Sequence, residues 1–168
     1  FGSDRVLEIG NYSSKGDGRI AVYPFYVRLK NRDKNSTIDI DISKNGGHIV
    51  YMLDNRNVGI PAIENKKAID AGLSFLNNVG YTDMIPSFSQ LFDNTLVINY
   101  VFVQSNGQYP VIIYPDQIKV KVARDNGDII GIEAEKYLTA HYSRTLPKAK
   151  LSLKQARSKV NSNLKITN

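Results

Sequence analysis

Two aspartates, Asp39 and Asp41, are the side chains in this sequence that most resemble a catalytic pair of carboxylates. Hydrolysis of a glycosidic bond uses two carboxyl groups that face each other across the sugar. On a strand, however, residues two apart project from the same face. Ile38, Ile40 and Ile42 alternate with the aspartates. This alternation predicts that the aspartates form the solvated side of a half-buried strand rather than a catalytic site.

The two histidines are the next candidates for chemistry, and neither has a suitable partner. His48 follows a Gly-Gly turn, and His141 lies close to Tyr137 and Tyr142. No Ser or Asp motif for nucleophilic catalysis accompanies them. The absence of cysteine excludes thiol nucleophiles and thiolate metal sites. We therefore predict a turn histidine, a packed or capping histidine, and a protein that is not an enzyme and holds no metal or cofactor.

The excess positive charge is concentrated at the end of the chain. The net charge is +6, and residues 144–168 contain seven basic and no acidic residues. Binding to an acidic partner, an anionic cell-wall polymer or a membrane surface would use this charge, but the exposed face of a small helix has the same composition. No nucleic-acid-binding motif is present, so nucleic acid is not an expected partner. The candidate partner-binding residues are Lys148, Lys150, Lys154, Arg157 and Lys159.

These residues must be positioned by a sequence that repeats itself. Residues 38–50 (IDIDISKNGGHIV) align without a gap on residues 118–130 (IKVKVARDNGDII), at an offset of 80. Both copies read as an alternating strand, a glycine turn and a second apolar strand. Lys119 and Lys121 in the second copy occupy the positions of Asp39 and Asp41 in the first. We hypothesise that this inversion of charge helps the two units to recognise each other.

Helices are predicted between the strand regions. A helical spacing of apolar residues runs from Pro61, at the first turn, to the Asn and Gly residues before Tyr81. Residues 151–156 repeat residues 63–68 at an offset of 88, with Ser152 as a plausible N-cap. The fold class is therefore α+β, with tandem units that each pack a helix on a small antiparallel sheet. We assign residues 1–59 to the sheet of a first unit, 60–143 to a complete unit, and 144–168 to a linker and the first helix of a third.

The motifs of both units resemble those of one family. Residues 44–48 (KNGGH) and 53–56 (LDNR) resemble the turn-and-strand signature of the YpeB germination proteins of spore formers. The similarity continues through residues 80–84 and 92–95, and it is strongest over residues 114–127 (YPDQIKVKVARDNG). The repeated unit itself resembles the PepSY module, a helix laid on a small antiparallel sheet. The resemblance covers nearly the whole chain from about Arg19 onward.

This resemblance implies a role in the spore without catalysis. YpeB-type proteins carry an N-terminal hydrophobic anchor, lie outside the inner membrane facing the cortex, and act with a cortex-lytic enzyme of the SleB type. The resemblance therefore implies that the protein stabilises, localises or restrains that enzyme in the dormant spore. PepSY modules also occur in protease propeptides, so inhibition of a cell-envelope peptidase is an alternative, through an exposed strand edge. A cell-wall hydrolase domain is the third and least favoured reading.

Overall fold

An eight-stranded antiparallel sheet forms the body of the protein in the computed structural model. The structure describes residues 5–14, 16, 18–30, 32, 36–107, 109–161 and 163–164. The strands are β1 (Val6–Asn11), β2 (Val22–Leu29), β3 (Ile38–Ser43), β4 (Ile49–Asp54), β5 (Met84–Phe92), β6 (Thr95–Ser105), β7 (Pro110–Ala123) and β8 (Ile129–Glu133). The helices are α1 (Asn65–Asn78), α2 (Glu135–Ala140) and α3 (Leu153–Ser158).

The strand order, β1-β2-β3-β4-β8-β7-β6-β5, joins two four-stranded meanders in one sheet. The junction, which we call the seam, is the antiparallel pairing of β4 with β8, where Met52 lies opposite Ile132. These two residues are equivalent in the repeat, because they are separated by its offset of 80. The seam therefore lies on a pseudo-two-fold axis between the repeats. The sheet of the first unit therefore continues directly into the sheet of the second.

One face of the sheet carries the hydrophobic core. Both α1 and α2 contact the second half of the sheet, and α2 also contacts β4 across the seam. The Tyr81 hydroxyl, just after α1, donates a 2.8 Å hydrogen bond to the C=O of Ile49 in the first unit. The core runs through both meanders without interruption. Its members include Val27, Leu29, Ile38, Met52, Leu76, Ile98, Tyr100, Ile118, Val120 and Ile132.

The helix α1 begins later than the sequence predicts. Pro61 does not lie in its first turn, because α1 begins at Asn65 with Glu64 as the N-cap. The backbone N–H groups of Ala62 and Ile63 instead donate to the C=O of Arg124. The segment before α1 is therefore held against the β7–β8 turn, and this contact keeps it out of the helix.

Three strand boundaries also differ from the sequence-based prediction. The sequence predicts no strand before residue 20, but Val6–Asn11 form β1, which pairs with β2 with a register shift between Val6 and Glu8. The sequence predicts a strand from Phe88 to Phe92, whereas β5 begins at Met84. The sequence also predicts a break near Pro115, but β7 continues through it, with Val101 opposite Gln117 and Phe102 opposite Ile113. Residues 114–116 thus form a bulge, which accommodates a proline that has no N–H to donate.

The end of the chain repeats the start of α1. Ser152 is the N-cap of α3 and forms a capping box with Gln155, which confirms the predicted cap. Glu64 is the N-cap of α1 and Ser152 is the N-cap of α3. The 88 residues between them equal the repeat offset of the two helices. Within the part of the chain that the structure describes, no helix is long and apolar enough to cross a bilayer. The assigned divisions at 59/60 and 143/144 lie between β4 and α1 and between α2 and α3.

Candidate interaction surface

The face of the sheet opposite α1 and α2 carries the charged side chains that the sequence analysis identified. We call it the polar face. Directly opposite residues of antiparallel strands share a face, so the pairing register defines two rows across the sheet. One row reads Pro24, Asp41, Tyr51, Glu133, Lys119, Asn99 and Phe88. The other reads Tyr26, Asp39, Leu53, Gly131, Lys121, Val97 and Gln90.

The two lysines share one carboxylate at the seam. Lys119 Nζ lies 2.7 Å from Glu133 Oε2, and Lys121 Nζ lies 3.2 Å from Glu133 Oε1. Partial burial alone would raise the pKa of Glu133, but the two ammonium groups outweigh it and hold that pKa below its ordinary value. Gly131 leaves room for the aliphatic part of Lys121, since a Cβ at this position would lie 2.9 Å from its Cδ.

The aspartates are held by other groups. The Tyr12 hydroxyl donates to Asp41 Oδ1 at 2.6 Å, and the Ser14 hydroxyl donates to Asp41 Oδ2 at 2.5 Å. Burial and then this hydrogen bond to a carboxylate raise the pKa of Tyr12. The Thr37 hydroxyl is 3.3 Å from Asp39. Asp41 is therefore buried, rather than on the solvated side that its spacing predicts.

The structure places the four charged residues in matching rows without joining them directly. Asp41 and Lys119 share one row, Asp39 and Lys121 share the other, and β4 and β8 lie between each pair. Three strand spacings correspond to about 14 Å. The lysines contact Glu133 of the seam strand instead. The hypothesis that this inversion of charge helps the two units to recognise each other stays a prediction.

Two adjoining cavities open on the polar face. The first has a volume of about 270 Å³ and lies over the seam, lined among others by Asp41, Tyr51 and Lys136. The second, of about 570 Å³, lies toward the β5 edge, where Phe88 and Phe92 form part of its wall. Three residues line both cavities: Asn99, Lys119 and Glu133. Together the two cavities form a groove from a charged centre to an aromatic edge.

The basic residues near the end of the chain are exposed. Lys148 and Lys150 precede α3, Lys154 and Arg157 lie within it, and Lys159 is its C-cap. The five cations therefore project to solvent from one short segment. This placement leaves them accessible to an anionic partner, and their role in binding stays a prediction.

A buried cluster that the sequence analysis did not identify fixes the segment after α2. Asp116 is fully buried in the β7 bulge. Arg144 donates to both of its carboxylate oxygens, at 2.6 and 2.8 Å, and also to the C=O of Ala140. His141 Nδ1 lies 2.8 Å from Asp116 Oδ2. The hydrogen bond to Asp116 raises the pKa of Arg144. We call Asp116, His141 and Arg144 the clasp.

His141 has the packed and capping role predicted for it, but Asp116 is an acidic partner that the sequence did not reveal. His141 is the C-cap residue of α2, and its ring stacks on Tyr137 at 4.5 Å between centroids. His48 lies at its turn, where its backbone N–H donates to the Ser43 hydroxyl. The structure also brings both histidines to one cavity of about 220 Å³, beside Tyr81 and Tyr137. Among the residues whose positions are described, no group of three or more metal-ligating side chains is placed to hold an ion.

A second ion pair that the sequence did not reveal joins the linker to the second unit. Arg56, just after β4, donates to both carboxylate oxygens of Asp125 in the β7–β8 turn, at 2.8 and 2.9 Å. The N–H of Gly59 donates to the same carboxylate. The bond from Arg56 is the main cause that lowers the pKa of Asp125 from 3.8 to about 2.

The lowered pKa predicts how stability depends on pH. Because the pKa of Asp125 is lower in the folded state, its stabilising contribution is complete above about pH 4 and is lost as the pH falls toward 2. We expect an Asp125→Asn variant to be less stable at neutral pH and to lose less further stability on acidification. Urea unfolding at several pH values measures this. Asp70→Asn on the exposed face of α1 is the control, and equal acid sensitivity of wild type and Asp125→Asn would contradict the prediction.

Family and sequence comparisons match this chain to the same group of sporulation proteins. The sequence profile described as YpeB sporulation, PepSY1 and PepSY2 domains matches residues 2–147. The chain is 34% identical to sporulation protein YpeB of Bacillus subtilis (strain 168), over 98% of the chain and 37% of that protein. It is 31% identical to the protein of the same name from Halalkalibacterium halodurans, over 92% of the chain and 33% of the relative. The chain thus spans about a third of these relatives.

A solved structure shares the fold. The Bacillus megaterium YpeB C-terminal domain superposes with a TM-score of 0.81 at 28% sequence identity. The match covers 96% of this chain and 69% of that one. The similarity therefore includes both meanders and the seam that joins them.

Proposed function

Since this chain belongs to the YpeB family of sporulation proteins, we propose that it acts without catalysis, as a binding module that stabilises, localises or restrains a SleB-type cortex-lytic enzyme in the dormant spore. Family membership associates the protein with the spore, and the family is not known as a family of enzymes. A position outside the inner membrane, facing the cortex, with anchoring by another part of the protein, belongs to the same proposal.

The observation that carries this proposal is the groove on the polar face. Helix α1 packs on the opposite face, and the groove runs from Asp41 at the seam, where Lys136 of α2 also lines it, to Phe88. Its charged groups are engaged with each other, as Glu133 is with two lysines. A hydrolase that cleaves glycans needs two carboxyl groups facing each other across the substrate, whereas Glu133 is bound by lysines and Asp41 by two hydroxyl groups. This arrangement supports recognition rather than glycan hydrolysis as the role of the groove.

Retention of the enzyme on the immobilised protein tests the proposal. We expect the purified SleB-type enzyme to bind the wild-type chain. An Asn99→Arg variant, which fills the groove at the point where its two cavities meet, should bind at least tenfold more weakly. Replacing the five cations of the tail by glutamine separates the two candidate surfaces, since we expect this variant to retain the enzyme. A matched control is Ser74→Arg, on the exposed side of α1.

Two results would contradict the proposal. If neither this chain nor a longer stretch of the protein retains the enzyme, the proposed partner is wrong. If this chain alone releases muropeptides from purified cortex, the proposed absence of catalysis is wrong.

The basic tail supports a second, weaker contact with an anionic cell-wall polymer or membrane surface. Five exposed cations in one short segment favour non-specific attraction to negative charge, and that attraction weakens as salt is added. Sedimentation with peptidoglycan or with anionic lipid vesicles at low and high salt measures it. The glutamine variant of the tail is the control.

A further inference from the structure

The strand β5 is an edge of the sheet that exposes apolar side chains. Phe88, Leu91 and Phe92 are 59%, 47% and 54% exposed. The stretch from Phe88 to Phe92 (FSQLF) contains no charged residue and no proline. An exposed edge strand with apolar side chains can pair with another strand, and natural proteins usually prevent this with charges, prolines or bulges.

The other edge, β1, also exposes apolar side chains, since Leu7 and Ile9 are each 64% exposed, but a charged residue lies between them. Its central Glu8 accepts hydrogen bonds from Tyr26 and Arg28 of the neighbouring strand. A register shift between Val6 and Glu8 also interrupts its regular pairing. The shift in β5 lies between Pro86 and Phe88, so the five residues that follow keep a regular ladder. Of the two edges, β5 is therefore the one that combines exposed apolar side chains with a regular ladder and no charged residue, over Phe88 to Phe92.

We propose that β5 pairs antiparallel with β5 of a second copy of this chain, in a register centred on Gln90. Residues opposite each other in such a pair must have numbers that add up to 180. Phe88 then lies opposite the partner's Phe92 on the polar face, and Ser89 lies opposite the partner's Leu91 on the core face. Cross-strand aromatic pairs stabilise a sheet, and this register places no like charges opposite each other. The two copies form a continuous sixteen-stranded sheet.

The backbone supports the same register. Phe92 and Thr95 lie opposite each other across a two-residue turn, and the pair that closes such a turn is hydrogen-bonded. Alternate residues of β5 therefore direct their N–H and C=O groups away from β6. These residues are Ser89 and Leu91, which face each other across the proposed interface. Both chains thus present donors and acceptors at matching positions.

Analytical ultracentrifugation over a range of concentrations tests the proposal. We expect the mass of the wild-type chain to rise toward that of a dimer as concentration increases. A Ser89→Pro variant should remain monomeric at every concentration, because it removes an outward N–H that the monomer does not use. Circular dichroism and urea unfolding establish that the variant is folded. Leu91→Lys is a second variant that should remain monomeric, since it introduces a charge into the interface.

Two controls distinguish β5 from other apolar surfaces. Leu7→Lys alters the β1 edge and Leu153→Lys alters the exposed side of α3, and we expect both variants to dimerise like the wild type. A wild-type chain that stays monomeric overturns the proposal. So does a folded Ser89→Pro variant that still dimerises, or loss of the dimer in either control. Enzyme retention by a monomeric Ser89→Pro variant would show that pairing and enzyme binding are independent.

Discussion

An Asp116→Asn variant is expected to lose about 3 kcal/mol of unfolding free energy, because it leaves the Arg144 guanidinium without a buried counter-charge. The carboxylate is fully buried and receives two hydrogen bonds from Arg144 and one contact from His141. The neutral amide of the introduced asparagine can form only part of this hydrogen-bond network. The clasp also positions Arg144 so that its C=O accepts a hydrogen bond from the Gln104 side-chain amide, which further holds the segment after α2. We therefore expect residues 141–147 to become susceptible to proteolysis.

Urea unfolding and limited proteolysis measure these effects. Asp128→Asn is the matched control, because Asp128 is largely exposed and lies 3.8 Å from Arg56. We expect this control to change stability by less than about 0.5 kcal/mol. Replacing Asp116 and Arg144 together by leucine should recover part of the loss, since no unpaired charge remains. Equal stability of Asp116→Asn and the control would contradict the importance of the clasp.

A Gly72→Ala variant is expected to lose about 2 kcal/mol of unfolding free energy. The same change at an exposed position of a helix stabilises the helix by about 1 kcal/mol. Gly72 lies on the buried side of α1. A Cβ at this position would overlap the Tyr100 hydroxyl oxygen. That hydroxyl cannot move freely, because it donates a 2.6 Å hydrogen bond to the C=O of Ile69. Alanine therefore forces α1 away from the sheet.

A double-mutant cycle with Tyr100→Phe tests this explanation. Removing the hydroxyl costs about 1 kcal/mol for the lost hydrogen bond. The closest remaining contacts of the added Cβ are then ring carbons at 3.2 and 3.3 Å, so Gly72→Ala should be much less costly when it is combined with Tyr100→Phe. Chemical unfolding gives the coupling free energy. If the alanine costs the same with and without the hydroxyl, the contact with the hydroxyl is not the cause.

Local patterns were sufficient where neighbouring residues determine the structure. The Asn-Gly-Gly and Asp-Asn-Gly turns were identified because glycine accepts a positive φ at low cost, and Gly46, Gly47 and Gly127 have φ angles of 81°, 67° and 86°. The N-cap at Ser152 was identified for a similar reason, since a hydroxyl and the glutamine three residues later form a local box. Pro61 misled the prediction because a contact with the distant Arg124 decides where α1 begins.

The candidate site was only partly predictable. The four charged residues of β3 and β7 were identified from alternation and repetition, but their shared neighbour Glu133 was not, because its role depends on the pairing of β8 with β7. Asp116 was missed for the same reason. A bulge at Pro115 buries it, and Arg144 reaches it from 28 residues further along the chain.

The sequence alone determined the α+β class, the two repeats, their turns and helices, and the family. Periodicity and turn preference are local properties, so they can be read along the chain. Only the tertiary structure decided that the two sheets join into one, that a groove lies on the polar face, and that β5 is an exposed edge. These features depend on hydrogen bonds and side-chain contacts between residues far apart in the chain, and no local pattern specifies which strand becomes the neighbour of another.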